Sequence, residues 1–175
     1  MVFVLSLRRL KKMSPKKTKP TLIVDTREKT PWDFEGDDAF EEVIYEKLDG
    51  GDYSIQGLEH LITIERKASV DELFVNFTKD KKRIRAEFDR LKDHKLKIIV
   101  IEETCEGIFN PNNYYVNKKR INKQSPKMPV AVVADALTKL MVGDNVHIIF
   151  GGDRAQAMAR GILLKTYDLF QRGEL

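Results

Sequence analysis

The segment Ile64-Glu65-Arg66-Lys67 sets a carboxylate and an ammonium two positions apart. In an extended chain Glu65 and Lys67 face one side and Arg66 the other. Such a pair can hold a hard cation and steer a water molecule at once; equally, it can be an exposed salt pair of little energetic weight. Asp52 stands thirteen positions before Glu65, near enough to meet it if the two segments form a hairpin. Asp25 ends the apolar run Thr21-Leu22-Ile23-Val24 and Glu28 follows it, at a strand's carboxyl end, where open α/β sheets place ligands. Four converging carboxylates repel one another unless a cation sits among them, and Mg²⁺ or Mn²⁺ takes oxygen ligands in octahedral sites. The competing reading has Asp25 capping a loop, Glu28 exposed and Asp52 serving only the turn at Gly51. Spacing alone leaves both open.

The elements that must position these groups follow from the pattern around them. Thr21 to Val24 reads as a buried strand. Glu42 to Leu48 reads as another, although Phe40, Val43, Ile44 and Leu48 also fit a helical period. Gly50-Gly51 forces a bend, and Asp52 to Ile55 with Leu61 to Glu65, on either side of Gly57, predicts a hairpin. Ser69-Val70-Asp71-Glu72 has the spacing of a capping box and opens a helix with acids in its first turn. Lys81 to Lys92 predicts a second helix, with Ile84, Phe88 and Leu91 on one face. Leu96 to Ile101 predicts a central strand, Asn110 to Pro129 a loop, and Val130 to Val142 a helix. Val146 to Phe150 predicts a strand, Gly151-Gly152-Asp153 a turn and cap, and Ala155 to Phe170 the closing helix. Strands first, then alternating helix and strand, predict an α/β fold with a central mixed β-sheet flanked by helices on both faces.

Composition narrows the classes. The chain has 175 residues, 42% hydrophobic and 33% charged, which suits one domain with a core of its own. No apolar run approaches the roughly 20 residues of a membrane span, and Val2-Phe3-Val4-Leu5 is too short for a signal-peptide core. The single Cys105 forms no internal disulfide, and His60, His94 and His147 are too scattered for a zinc site. Trp32 and Cys105 read as core or near-core residues. Residues 1–20 carry seven Lys/Arg and no acid, leaving 24 basic against 27 acidic residues in the rest. The expected organisation is therefore a basic, disordered arm at 1–20 before a domain at 21–175. The arm suits a polyanion through counterion release, or is simply a solvated tail. No Ser-His-Asp spacing, Cys–His pair or Gly-rich phosphate loop offers a competing chemistry.

Three blocks in order, Leu22-Ile23-Val24-Asp25-Thr26-Arg27-Glu28, then Gly51-Asp52-Tyr53, then Ile64-Glu65-Arg66-Lys67 with Asp71 four residues on, resemble the nuclease domain of XPF-type endonucleases. That domain is a branch of the PD-(D/E)xK, restriction-endonuclease-like superfamily. Arg83, followed by Glu87, is similar to the Arg after the motif in that family. The resemblance implies hydrolysis of a DNA phosphodiester with Mg²⁺, for which Mn²⁺ substitutes, in repair, recombination or replication. It makes Asp52 and Glu65 the principal metal ligands, with Asp25 and Glu28 completing or supporting the site. Lys67 orients or helps deprotonate the attacking water; Arg27, Arg66 and Arg83 hold phosphates or brace the carboxylates; Asp71 is a structural member of the motif. Beside this, Lys79 to Lys97 holds nine Lys/Arg against four acids, and the loop 117–127 carries Lys118, Lys119, Arg120, Lys123 and Lys127 without an acid, after Tyr114-Tyr115. Phosphates suit that loop and an unpaired base suits a tyrosine.

XPF-type enzymes usually continue into helix-hairpin-helix modules, which do not follow here. The resemblance therefore implies a short stand-alone form, such as viruses and phages carry, that forms a homodimer through the nuclease domain or borrows those modules from a partner. It implies a place inside the cell, with DNA and away from membranes, and branched or junction DNA as substrate. A non-catalytic DNA-binding or scaffolding subunit and an RNA-processing nuclease are the rival expectations; intact Asp52, Glu65 and Lys67 speak against the former.

Overall fold

The computed structural model describes residues 18–69, 72, 73, 75, 76, 81–110, 115, 116, 119, 120 and 127–175. Eight strands are described: β1 (Thr21–Asp25), β2 (Glu42–Glu46), β3 (Tyr53–Ile55), β4 (Ile62–Lys67), β5 (Leu96–Ile101), β6 (Tyr115–Val116), β7 (Lys119–Arg120) and β8 (Val146–Phe150). Among the described residues the helices with defined bounds are α1 (Lys81–Arg90), α2 (Cys105–Phe109), α3 (Lys127–Gly143) and α4 (Ala155–Gln171), the last entered through a 3₁₀ turn at Gly152–Arg154; Glu72, Leu73, Val75 and Asn76 are helical too. Six strands form one sheet in the order β2-β1-β3-β4-β5-β8. The β1–β2, β4–β5 and β5–β8 pairs are parallel, and β1–β3 and β3–β4 antiparallel, so the sheet is mixed. Among the described residues no helix is long and apolar enough to cross a membrane.

The side-chain alternation of the strands feeds two cores. Leu22, Val24, Tyr53, Ile55, Ile62, Ile64, Ile98 and Val100 meet α4 through Ala155, Ala159 and Leu163, with Trp32, Phe34 and Phe40 closing that side. Ile99, Ile101 and Val146 point the other way and pack against Leu73, Phe88, Ile108, Val133, Leu137 and Leu140. Covered on both faces, β5 reads as the unbroken apolar run Ile98-Ile99-Val100-Ile101, as buried parallel strands do. The expected α/β architecture, with helices on both faces, is the one observed.

The strand expected from Glu42 to Leu48 is present as β2, paired with β1 at the sheet edge, with Leu48 buried just past its end; the helical period also visible there gives way because pairing and burial outweigh local periodicity. Other expectations shift. The stretch expected as a loop over Asn110 to Pro129 holds the antiparallel pair β6–β7 and the start of α3, whose third residue is Pro129, a position where the first turn tolerates proline. The Gly152-Asp153 turn supplies no side-chain cap to α4. Cys105 is exposed rather than near-core, at the first position of the five-residue α2; Trp32 is buried. The Ser69 cap is present, its Oγ accepting from Glu72 N at 3.1 Å. The basic arm lies, up to residue 17, outside the described residues.

Candidate active site

One antiparallel register aligns the chemistry. Val24 pairs with Tyr53, and Tyr53 with Ile64; the next step along each strand brings Asp25, Asp52 and Glu65 side by side across the sheet. The backbone stitches them: Asp25 N donates to Asp52 O, and Asp52 N to Ile64 O, both at 2.8 Å. Gly51 makes this turn with φ +80°, and a Cβ there would lie 2.0 Å from Thr63 Oγ1, so only glycine delivers Asp52 to this place. A cleft of about 550 Å³ opens over the row, lined by Asp25, Arg27, Glu28, Lys29, Thr30, Asp52, Glu65, Arg66, Lys67, Glu72 and Arg90.

The four carboxylates share the cleft but not a role. Asp25 is 1% exposed. Its Oδ1 accepts from Arg27 N at 2.7 Å and Nε at 2.8 Å, and its Oδ2 from Arg27 Nη2 at 2.8 Å and Leu48 N at 2.7 Å. Burial pushes this carboxyl up, and those bonds outweigh it and hold it below the usual aspartate range. Glu28 accepts from Thr30 N at 2.8 Å and lies 3.4 Å from Arg66 Nη1. Asp52 Oδ2 accepts from Arg66 N at 2.7 Å, and Glu65 is paired with the Lys67 ammonium. Among the described residues no three of His, Cys, Asp and Glu form a ready metal cage. The donors that suit a hard cation are Asp52 and Glu65, since Mg²⁺ is commonly held by one or two carboxylates, with waters and a substrate phosphate completing its octahedron.

Lys67 is 4% exposed. Its Nζ bonds Glu65 and lies 3.4 Å from Glu72 Oε1. Burial pulls its pKa down, but Glu65, Glu72 and Asp52 more than compensate and hold it above the ordinary lysine value; at neutral pH it is an ammonium. Arg66, on the opposite face of β4, is spent on structure. It gives Glu102 two bonds, from Nε at 2.8 Å and Nη2 at 3.0 Å, and donates to Thr30 O at 2.8 Å. Its guanidinium also sits 5.5 Å from the centroid of Trp32. These bonds tie β4 to Glu102 and to the Thr30 loop. Arg27 clamps Asp25 and Leu48 O and is half exposed.

Two partners escaped the sequence reading. Glu102, just past the end of β5, holds Arg66 and the Trp32 indole N–H; the strand-end rule that singled out Asp25 applies equally to it. Glu72 accepts from Ala68 N at 3.0 Å besides facing Lys67, a role beyond its place in the capping box. Arg83 belongs to α1 and Lys119 and Arg120 to β7, but their side chains, like Asp71 and Lys118 altogether, lie outside the described residues.

The sequence profile of the ERCC4 domain matches residues 24–159, the stretch from the end of β1 into α4 that contains this row of acids. The chain belongs to the ERCC4 domain family. No curated protein sequence matches it. Among solved structures six chains match; one is XPF from Aeropyrum pernix, with a TM-score of 0.54 and 17% sequence identity over 83% of this chain. This chain spans 65% of the length of that one, and at such identity the likeness is one of fold: the restriction-endonuclease-like α/β fold. The cleft and the row of acids beneath it lie within the matched stretch.

Proposed function

We propose that this ERCC4 domain is a metal-dependent endonuclease that hydrolyses DNA phosphodiester bonds, with Asp52, Glu65 and Lys67 as its catalytic residues. The observation that carries the reading is the placement of two carboxylates and a buried ammonium on one face of the sheet, in one cleft. Asp52 and Glu65 would hold Mg²⁺, or Mn²⁺ in its place, with Glu28 lining the same cleft and Asp25 supporting through Arg27. When bound, the ion neutralises the phosphodiester and acidifies a water. Lys67, kept protonated by Glu65 and Glu72, would donate to the phosphoryl oxygens as negative charge grows on them. Arg66 keeps β4 and the Thr30 loop together so that Glu65 and Glu28 stay in place. Arg83, Lys118, Lys119 and Arg120, together with the basic residues 1–20 ahead of the domain at 21–175, supply positive charge for the DNA backbone, at branched or junction sites inside the cell.

A second copy of the chain is the proposed partner. β8 is the last strand of its sheet; Met141, 52% exposed, lines an apolar groove with Ile148, Ile149 and Ile162, and the next residue, Val142, is 84% exposed. Sedimentation of wild type against Val142→Asp checks this; a wild-type monomer at every concentration sinks the dimer.

The deciding experiment incubates the protein with labelled duplex, single-stranded, flap and fork DNA, with and without Mg²⁺. Metal-dependent cutting of DNA is the expected result. Tight binding without cutting under every condition would instead favour the non-catalytic subunit, and cutting confined to RNA an RNA-processing enzyme.

A further inference from the structure

Five cationic side chains line the cleft: Arg27, Lys29, Arg66, Lys67 and Arg90. Three of them are neutralised where they stand. Arg27 pairs with Asp25 at 2.8 Å, Arg66 with Glu102 at 2.8 Å, and Lys67 with Glu65 and Glu72. Arg90 is built differently. Its described hydrogen bonds both go to backbone carbonyls, Nε to Asp49 O at 3.0 Å and Nη1 to Ala86 O at 3.2 Å, and among the described residues no carboxylate meets it. Carbonyls orient a guanidinium without cancelling its charge. Two of its five donors are used, which leaves both hydrogens of Nη2 and one of Nη1, the fork that suits a phosphate. Lys29 carries charge too, but no described bond fixes its ammonium.

The place of Arg90 is also defined. It is the last residue of α1, where the helix dipole favours a cation. The next residue, Leu91, packs so closely on Gly50 that a Cβ there would lie 3.0 Å from it. Arg90 is thereby anchored to the turn that delivers Asp52, and the carbonyl it holds belongs to the residue three before that carboxylate.

Resting on the nuclease reading above, we propose that Arg90 is a phosphate-binding residue of the cleft, gripping a backbone phosphate of the nucleic-acid strand through its two-pronged guanidinium. The test is made in the full chain carrying Asp52→Asn, to bind without cutting, on a labelled duplex with a single-stranded overhang titrated over a range of salt. Adding Arg90→Gln should weaken binding about tenfold and reduce the slope of log affinity against log salt by roughly 0.7–0.9, the value of one phosphate contact. Arg90→Lys should restore the slope while leaving affinity several-fold short, because the ammonium keeps the charge but not the fork. An unchanged slope in Arg90→Gln, with only the melting temperature lowered, would reduce Arg90 to a brace for the turn and overturn the proposal. Should that variant not fold, Arg90→Lys decides: affinity equal to the parent's overturns the two-pronged grip. A wild-type chain that cuts DNA alongside either negative result leaves the nuclease reading intact; one that neither binds nor cuts DNA overturns both.

Discussion

The carboxyl end of β4 has two sides, and consecutive residues serve opposite ends. On one side Arg66 is bound to Glu102, Thr30 and Glu28 and lies over Trp32, which stacks on Tyr53 at 4.8 Å. On the other, Glu65 and Lys67 pair with each other beside Asp52, in a cleft that Arg66, Glu28 and Thr30 line as well. The pleat alone separates them. On the proposed function, three successive letters of sequence mix catalytic groups with the scaffold that aims them, and substitutions on the two sides should fail in different ways.

The largest contrast is in turnover. Asp52→Asn and Glu65→Gln are each expected to lower cleavage by on the order of 10³ or more while the melting temperature stays within a few degrees; single-turnover assays paired with thermal melts check this, and full activity in both variants ends the site assignment. On the scaffold side the order reverses. Arg66→Ala removes the charge partner of Glu102 and leaves it the Trp32 indole, and should cost about 3 kcal/mol, or roughly 6–12 °C in melting temperature, with cleavage by the molecules still folded reduced far less than by Asp52→Asn. Arg66→Lys should not rescue it, since one ammonium cannot replace a bidentate guanidinium. Glu72→Ala sits between the sides: losing its bonds at the helix start costs about 1 kcal/mol, and Lys67, left with Glu65 alone, should support cleavage several-fold slower at unchanged DNA affinity. The smallest effect concerns acid. Burial raises the Glu102 carboxyl, but the bonds from Arg66 and Trp32 outweigh it and hold it below its ordinary 4.5. A depressed pKa adds stability above the unfolded value that fades as pH falls through the folded one. Glu102→Gln should thus be less stable than wild type at pH 7, and denaturant melts should show the gap narrowing below about pH 4.5; a constant gap would mean that charge at Glu102 contributes nothing.

What the sequence disclosed depended on distance along the chain. Strong local patterns, the apolar run of β5 and the hairpin around Gly57, announced their elements, and the order of strands and helices gave the mixed sheet. The row of Asp25, Asp52 and Glu65 was legible because a hairpin register and a strand end are themselves local features. Division of labour within the row was not. That Asp25 is saturated by Arg27 and Leu48 depends on the turn after β2 folding back onto β1, and Glu102 reaches Arg66 across 36 positions of sequence. Cys105 was misplaced because small sulfur-bearing residues usually seek the interior, whereas α2 is too short to bury more than Ile108. Likewise β2 won over a helical period only through its pairing with β1.

Trp32 is the chain's single tryptophan. Packed against Tyr53 and Arg66 and tied to Glu102, its indole is a native optical probe seated on the scaffold side, with the proposed catalytic groups on the other face of the sheet. Its emission will register loosening of the Arg66 brace with no label attached, and will be nearly blind to a neutral exchange at Asp52. One fluorescence channel can thus tell an inactive protein that is intact from one that has begun to come apart.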